Sequence, residues 1–372
     1  VYLAQLYLNN FRNYFQQHLK FNSNYNFFIG ANAQGKTNLL EAIYILGTGA
    51  SHRTSVTSEL INWEENKFYL KGEVIKKEQN YQLTVSQEGR SKQVSVNNNN
   101  LDKISDLMGY LNVVIFSPED LKLVKGSPTQ RRKFINLELS QVNSYYNHLL
   151  HDYNKVLKQR NNLLKEIRAQ QSPQEMLEVW DQQLINLGSK IISRRLNALT
   201  KLTPLARLTQ RKLTNGQETL ELNYDTKLAI DKNSSQAEIK EKFSAYLQKI
   251  KDKEIERGVT TVGPHRDDIS LLVNDIDVRK YGSQGQQRTT ALALKLSELE
   301  FMRSKVGEYP VLLLDDVFSE LDNNRSSQLL TTVRNKVQTF ITSTEREEVV
   351  NLNKNKFFFF KINEGTVKQI ES

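Results

Sequence analysis

Two short motifs that serve one chemical site stand almost a whole chain apart, and that separation constrains the fold more than any other feature of the sequence. The first is GANAQGKT, residues 30–37. It follows an apolar strand and leads into an apolar-periodic helix, the context in which a G-x-x-x-x-G-K-[ST] match carries meaning. Backbone amides of the loop Gly30, Ala31, Asn32, Ala33, Gln34 and Gly35 would wrap phosphates at the helix N-terminus, with Lys36 on the β- and γ-oxygens and Thr37 on magnesium. The run from Gly30 to Asn38 is therefore read as an ATP-binding segment. The second motif is PVLLLDDVFSELD, residues 310–322. An apolar run that ends in acids is a buried strand delivering charge at its tip. Asp315 is expected in the Mg2+ shell, and Asp316 is expected to orient or deprotonate an attacking water. Lys36 and Asp315 are 279 residues apart, more than an ordinary nucleotide-binding domain. The catalytic fold must be split, with the middle of the chain inserted between its halves.

The pattern along the chain agrees. Residues 1–116 read as short strands, among them YLAQLYL, KFYLKGEVI, YQLTVS, KQVSV and NVVIF, interrupted by one helix that opens at Gly35. The NNNN at 97–100 is read as a hairpin loop. Residues 117–257 switch to helices. Ser117-Pro118, Ser127-Pro128 and Ser172-Pro173 each announce one, with Ser as N-cap, Pro at N1 and Asp, Gln or Glu at N3. Val142, Tyr146, Leu149, Tyr153, Val156, Leu163 and Ile167 keep spacings of three and four, with one gap at Arg160. Leu177, Trp180, Leu184, Leu187 and Ile191 repeat the pattern after the break AQQSPQ. Two such helices make an antiparallel hairpin about 40 Å long at ~1.5 Å per residue, a short arm. A small hairpin around TNGQ (214–217) and a helix capped at Ser235 with Glu238 complete this segment. Residues 258–372 return to strands, ISLLVND, PVLLLDD, TFITST and KFFFFKI, with one helix from 286 to about 304. Residues 1–116 and 258–372 are thus read as two halves of one head, and 117–257 as an inserted helical lobe.

A third motif, YGSQGQQRTTALALKLSEL (281–299), sets glycines and Ser283 ahead of a long helix. Amides and a hydroxyl at a helix N-terminus suit an anion. A second phosphate-binding element in a chain with one P-loop is explained if Ser283, Gln284, Gly285 and Gln286 meet the γ-phosphate held by another copy.

Lys and Arg total 51 against 42 Asp and Glu, a net charge of +9, which favours a polyanionic partner such as DNA. The candidate DNA surface comprises Lys122, Lys125, Arg131, Arg132 and Lys133, then Lys155, Lys158, Arg160 and Lys165, then Arg194 and Arg195. His148 and His151 are read as a solvated pair, and no transition metal is assigned. There are 0 cysteines, which rules out disulfides and thiolate metal sites. The apolar runs VLLL and FFFF are too short to span a bilayer, and VYLAQLYLNNF lacks a signal-peptide layout. Val1 reads as a processed or atypical start. The expectation is a soluble cytoplasmic protein.

Together the P-loop, SQGQQR, LLLDD and SELD resemble the ATP-binding-cassette (ABC-type) ATPases of chromosome maintenance and repair. FRNY (11–14), EAIYILGTGASHRT (41–54), FSPEDLKLVKGSPTQRRKF (116–134) and VGPHRDD (262–268) are similar to the RecF family of bacterial recombination mediators, and the resemblance runs from end to end. It implies an α/β fold: an ABC-type ATPase head with a P-loop core and antiparallel β-subdomain, split by an inserted α-helical lobe. It further implies an ATP-dependent homodimer, binding to gapped DNA at single-strand/double-strand junctions, and cooperation with RecR and RecO in loading RecA. Matched onto this chain, it implies that Arg12 and Tyr14 sit near the nucleotide, that Ser319 to Asp322 lie at the dimer seam, and that Ser283 contacts the partner's γ-phosphate. The chain departs from the family at Ala33, where glycine is common, and at Asn136, where aspartate is common. Thr344 is the match to the histidine switch of transporter cassettes, and no Q-loop glutamine is evident in FSPED.

Three other classes share parts of this pattern. A transporter motor would need a membrane-coupling surface and the histidine switch. An SMC-like chromosome tether needs long coiled coils, and this arm is short. A P-loop kinase would leave SQGQQR unexplained.

Overall fold

The structure, a computed structural model, describes residues 1–77, 79–318, 323–333, 336–344 and 357–370. In chain order it contains β1 (Tyr2–Phe11), β2 (Tyr14–Lys20), β3 (Tyr25–Ile29), α1 (Lys36–Thr48), β4 (Lys67–Lys76), β5 (Gln79–Glu88), β6 (Ser91–Val96), β7 (Asn99–Asn100) and β8 (Val113–Phe116). Then come α2 (Leu121–Lys125), α3 (Pro128–Val142), α4 (Ser144–Arg168), α5 (Leu177–Leu213), β9 (Leu220–Asp225), α6 (Gln236–Lys249), α7 (Lys251–Arg257), β10 (Asp268–Val273), β11 (Ile276–Asp277) and α8 (Val278–Tyr281). The chain closes with α9 (Gln284–Val306), β12 (Val311–Leu314), α10 (Asn323–Val333), β13 (Thr339–Ser343), β14 (Phe357–Asn363) and β15 (Thr366–Ile370). No described helix is long and apolar enough to cross a membrane.

These elements form two compact units, residues 1–120 with 294–372, and residues 121–293. The sequence pattern put the divisions at 116/117 and 257/258. The second shift has a simple cause: β10 pairs antiparallel with β9 and with β11, so strands downstream of 257 complete a sheet of the middle unit.

The first unit holds two sheets. One has the order β15-β14-β3-β13-β12-β8, parallel from β14 to β8 with β15 antiparallel at its edge. Parallel strands covered on both faces need unbroken apolar runs, which is what VLLL and VVIF supply, and β8, β12 and β13 are buried at every residue. The other sheet is antiparallel, order β2-β1-β4-β5-β6-β7, with alternating burial. Helix α1 runs between them, touching β1, β4 and β5 as well as β8 and β13. That explains why it is apolar nearly all round. Gln338 joins the sheets: its amide accepts from Leu3 N and donates to the carbonyls of Leu3 and Asn22, each at 2.8 Å. The four asparagines form a tighter turn than a four-residue loop. Asn97 and Asn98 take positive φ (51° and 67°), and Asn99–Asn100 already form β7.

In the middle unit α4 and α5 pack antiparallel. Ile167 and Leu177 share a core cluster near the connector, Arg160 meets Asp181, and Tyr146 meets Arg195 at the far end. The helices have 25 and 37 residues, about 37 and 55 Å at ~1.5 Å per residue. TNGQ is no hairpin: α5 continues to Leu213, and Thr214 and Gly216 close its end by donating to Gln210 and Arg211 carbonyls. Among the Ser-Pro starts, Ser127 precedes α3 with Pro at N1 but makes no side-chain cap bond. Ser172 Oγ donates to Glu166 instead, and a 3-10 turn (Gln174–Met176) leads into α5. At Ser117 the reverse bond forms, its amide donating to the Asp120 carboxylate at 2.7 Å. Ser235 does cap α6, accepting from Glu238 N at 3.2 Å.

Candidate nucleotide-binding site

Strand order brings the separated motifs together. β13 lies between β3 and β12, and Ile341 pairs with both Phe27 and Leu314. Thr342 and Asp315 stand one residue further on, and the P-loop begins at Gly30, just past the end of β3, so the three meet at the carboxyl ends of three adjacent strands. Thr37 Oγ1 donates to Asp315 Oδ1 at 2.9 Å across 278 residues of sequence. Thr342 Oγ1 donates to the same oxygen at 3.0 Å and accepts from Asp316 N at 2.8 Å. Burial pushes the Asp315 carboxyl above its ordinary pKa, and the hydrogen bonds from Thr37 and Thr342 pull against it. Asp316 is exposed, with a positive φ of 52°.

The loop's backbone explains its glycines. A Cβ on Gly30 would approach Ile362 O to 2.4 Å, and Gly35, at φ 114°, faces Asn13 at 2.6 Å. Ala33 adopts φ 64°, a left-handed conformation that costs a residue with a Cβ roughly 1–2 kcal/mol and glycine nothing. Lys36 is buried and its Nζ donates to the carbonyls of Gly30 and Ala31 at 2.5 and 2.9 Å. Burial lowers its pKa, and the nearby charges of Asp316 and Asp315 oppose that shift.

The N-terminal FRNY turn grips this loop and its helix. Arg12 donates two bonds of 2.9 Å to Glu41, a carboxylate with 0% exposure. Ser51 and Arg53 also donate to Glu41, and Arg53 reaches Asn38 at 2.8 Å. Burial disfavours the Glu41 charge, but the bonds from Arg12 and Ser51 outweigh it and hold the carboxyl below its usual range. Tyr14 donates to Gly35 O, and Asn13 to Gln34 O. Arg12 thus contacts the helix that follows the P-loop through Glu41. Sequence reasoning passed over Glu41, Arg53, Asn13 and Thr342. One signal was present for Glu41: a carboxylate inside LLEAIYIL has to be buried, and a buried charge demands cations.

At the third motif Ser283 and Gln286 form a capping box. Ser283 N donates to Gln286 Oε1 at 2.9 Å, and Gln286 N to Ser283 Oγ at 3.2 Å. Ser283 and Gln284 are exposed, Gly285 and Gln286 half-buried. Thr344 is exposed just beyond β13. Ser319 to Asp322 lie outside the described residues.

Three members of the expected DNA surface turn inward. Arg131 is 3% exposed and bound to both oxygens of Asp268 at 2.8 Å. Arg160, at 0%, bonds Asp181 and Glu254 at 2.6 Å, and Arg195, at 2%, bonds Pro264 O, Asn136, Tyr146 and Tyr224. Their charges answer carboxylates and oxygens within the unit, so they are removed from that surface. Arg132 is half-buried and donates to Asp267 O. Lys122, Lys125, Lys133, Lys155, Lys158 and Lys165 are exposed.

A family model described as RecF/RecN/SMC N terminal domain matches residues 2–368. The DNA replication and repair protein RecF of Halothermothrix orenii is 46% identical over 375 residues, 100% of both chains. RecF of Natranaerobius thermophilus is 48% identical over 354 residues, 93% of this chain and 92% of the relative. Among solved structures, that of the recombination mediator protein RecF with ATP in the RecFOR pathway matches with a TM-score of 0.93 at 39% identity, covering 100% of this chain and 98% of the other. An Smc head domain with an extended coiled coil, derived from Pyrococcus furiosus, shares the fold at a TM-score of 0.57 and 17% identity, covering 99% of this chain and 96% of the other. The mixed α/β architecture is thus the ABC-type ATPase fold found in RecF and in SMC heads. The chain belongs to the RecF family of DNA replication and repair proteins.

Proposed function

We propose that the chain is an ATP-dependent DNA-binding protein of recombinational repair. It is an ABC-type ATPase that dimerises on ATP, binds gapped DNA at single-strand/double-strand junctions, and promotes RecA loading with RecR and RecO in the cytoplasm. Hydrolysis, slow and stimulated by DNA, separates the dimer and releases the DNA. The observation that carries the reading is the Thr37–Asp315 contact of 2.9 Å. A hydroxyl and a carboxylate that close are an oxygen donor set suited to Mg2+, which when bound neutralises charge on the phosphates. Lys36, now on loop carbonyls, is the cation for the β- and γ-oxygens, and Asp316 the base or orienter for water. Ser283 Oγ accepts from Gln286 N, which leaves its proton to donate to a phosphate held by a second copy. The related mediator RecF, solved with ATP and assigned to the RecFOR pathway, supports the same reading.

The test is Ser283→Arg. ATP binding should persist while light scattering shows only monomers with ATP; ATP-driven dimers of the variant would exclude Ser283 from the intersubunit role. Lys36→Ala should lose ATP binding and dimers together.

A further inference from the structure

We propose that the turn Glu364–Gly365, between β14 and β15, is a positioning element of the nucleotide site that holds the P-loop in its phosphate-ready shape through Gln34. The inference rests on the ATP-binding reading of GANAQGKT. Gln34 stands at the loop's tip and is held from two sides. Its Oε1 accepts from Glu364 N at 2.7 Å, and its main-chain carbonyl accepts from Gly365 N at 3.3 Å and from Asn13 Nδ2 at 3.0 Å. The peptide is planar and trans, so a Gln34 carbonyl tied to these turns aims the Gly35 N–H the opposite way, as a phosphate cradle requires. The other end of the loop leans on the same hairpin, since Gly30 packs too closely on Ile362 O to carry a side chain.

The turn is built for close approach. Glu364 and Gly365 both take positive φ (46° and 72°), and Asn363 pairs with Thr366, which makes a two-residue hairpin. A Cβ on Gly365 would come within 2.1 Å of Asn13 O, so glycine is what lets the two turns meet. Gln17 fastens the turn from β2: its Nε2 donates to Gly365 O and its Oε1 accepts from Val367 N, each at 3.3 Å.

A loop held this way binds without first being ordered. If the turn is loosened, only a fraction of molecules carry the competent loop, and apparent affinity falls by that fraction, while saturating ATP restores the shape. The signature is a raised Kd and KM with kcat retained. The full-length protein is compared as Gly365→Ala, Gln17→Ala and Lys36→Ala by equilibrium ATP binding, steady-state hydrolysis and melting temperature. Gly365→Ala should raise Kd and KM about tenfold and Gln17→Ala about threefold, with kcat within about twofold of the parent. Wild-type Kd in the folded turn variants, or a loss of kcat and folded fraction at unchanged Kd, would overturn the positioning role. If Gly365→Ala fails to fold, Gln17→Ala decides. Normal ATP binding by Lys36→Ala would instead defeat the ATP-site reading, so the two failures are told apart.

Discussion

The hydroxyl of Thr342 donates a 3.0 Å hydrogen bond to Oδ1 of the buried Asp315. The hydroxyl oxygen of Thr342 in turn accepts the amide of Asp316, so one side chain sets both acids at the tip of β12. Thr342→Val keeps the shape and removes both bonds. The Asp315 carboxyl, already raised by burial, would rise further, and the Asp316 backbone would lose its anchor. Turnover of ATP is expected to fall about tenfold, the equivalent of ~1.4 kcal/mol, while ATP binding holds. Single-turnover hydrolysis beside equilibrium binding measures both, and unchanged turnover would restrict Thr342 to a structural part.

His52 supplies a pH dependence. Its ring lies edge-on to Tyr44 at 4.9 Å, its Nδ1 is buried without a hydrogen-bond partner, and burial lowers its pKa to about 4. The unfolded chain takes up a proton near 6.5 that the folded chain refuses until about 4. Stability from this group is therefore full above 6.5 and lost as pH falls through that window. His52→Phe keeps the ring and removes the proton site. Relative to the variant, the parent should weaken by up to about 1.4 kcal/mol per pH unit across the window, read from urea unfolding. A constant difference between the two would show that His52 titrates normally.

The split site was legible because phosphate chemistry demands particular residue types at fixed spacing: Lys36 and Thr37 at the end of a glycine loop, and two acids after an apolar run. Their separation required an insertion, and two compact units are found. What sequence could not show was the partner of a charge. Arg160 interrupts an apolar stripe and reads as solvent-facing, yet its carboxylates come from 21 and 94 residues away. Gln34 looks like loop filler until the turn 330 residues later is folded against it. TNGQ carries turn chemistry that serves a helix end as well as a hairpin, and local composition does not distinguish them.

Arg160 is expected to matter for stability. Its guanidinium bonds Asp181, Glu254 and Thr260, and Glu254 has 0% exposure. Arg160→Met strands that carboxylate, which should cost about 3–5 kcal/mol in thermal or urea unfolding. Adding Glu254→Gln should return part of the loss, because the stranded charge is gone. A loss below ~1 kcal/mol would mean that water or a shifted cation takes over the pairing.

The same burial sorts the basic residues by their effect on DNA. If about six exposed cations meet phosphates, log K should fall against log salt with a slope near −5. Lys155 and Lys158 are exposed on α4 only a few residues from Arg160, which is wholly enclosed. Replacing both lysines by alanine should make the slope shallower by about 1.8, the release of two counterions. Arg160→Met, assayed below its melting temperature, should weaken neither affinity nor slope, because a guanidinium held by Asp181 and Glu254 releases no counterion when DNA arrives. Fluorescence anisotropy with a gapped duplex over a salt series reads both quantities. An unchanged slope in the double lysine variant would take α4 out of the DNA surface, and a shallower one in Arg160→Met would mean that the buried network opens to meet the backbone.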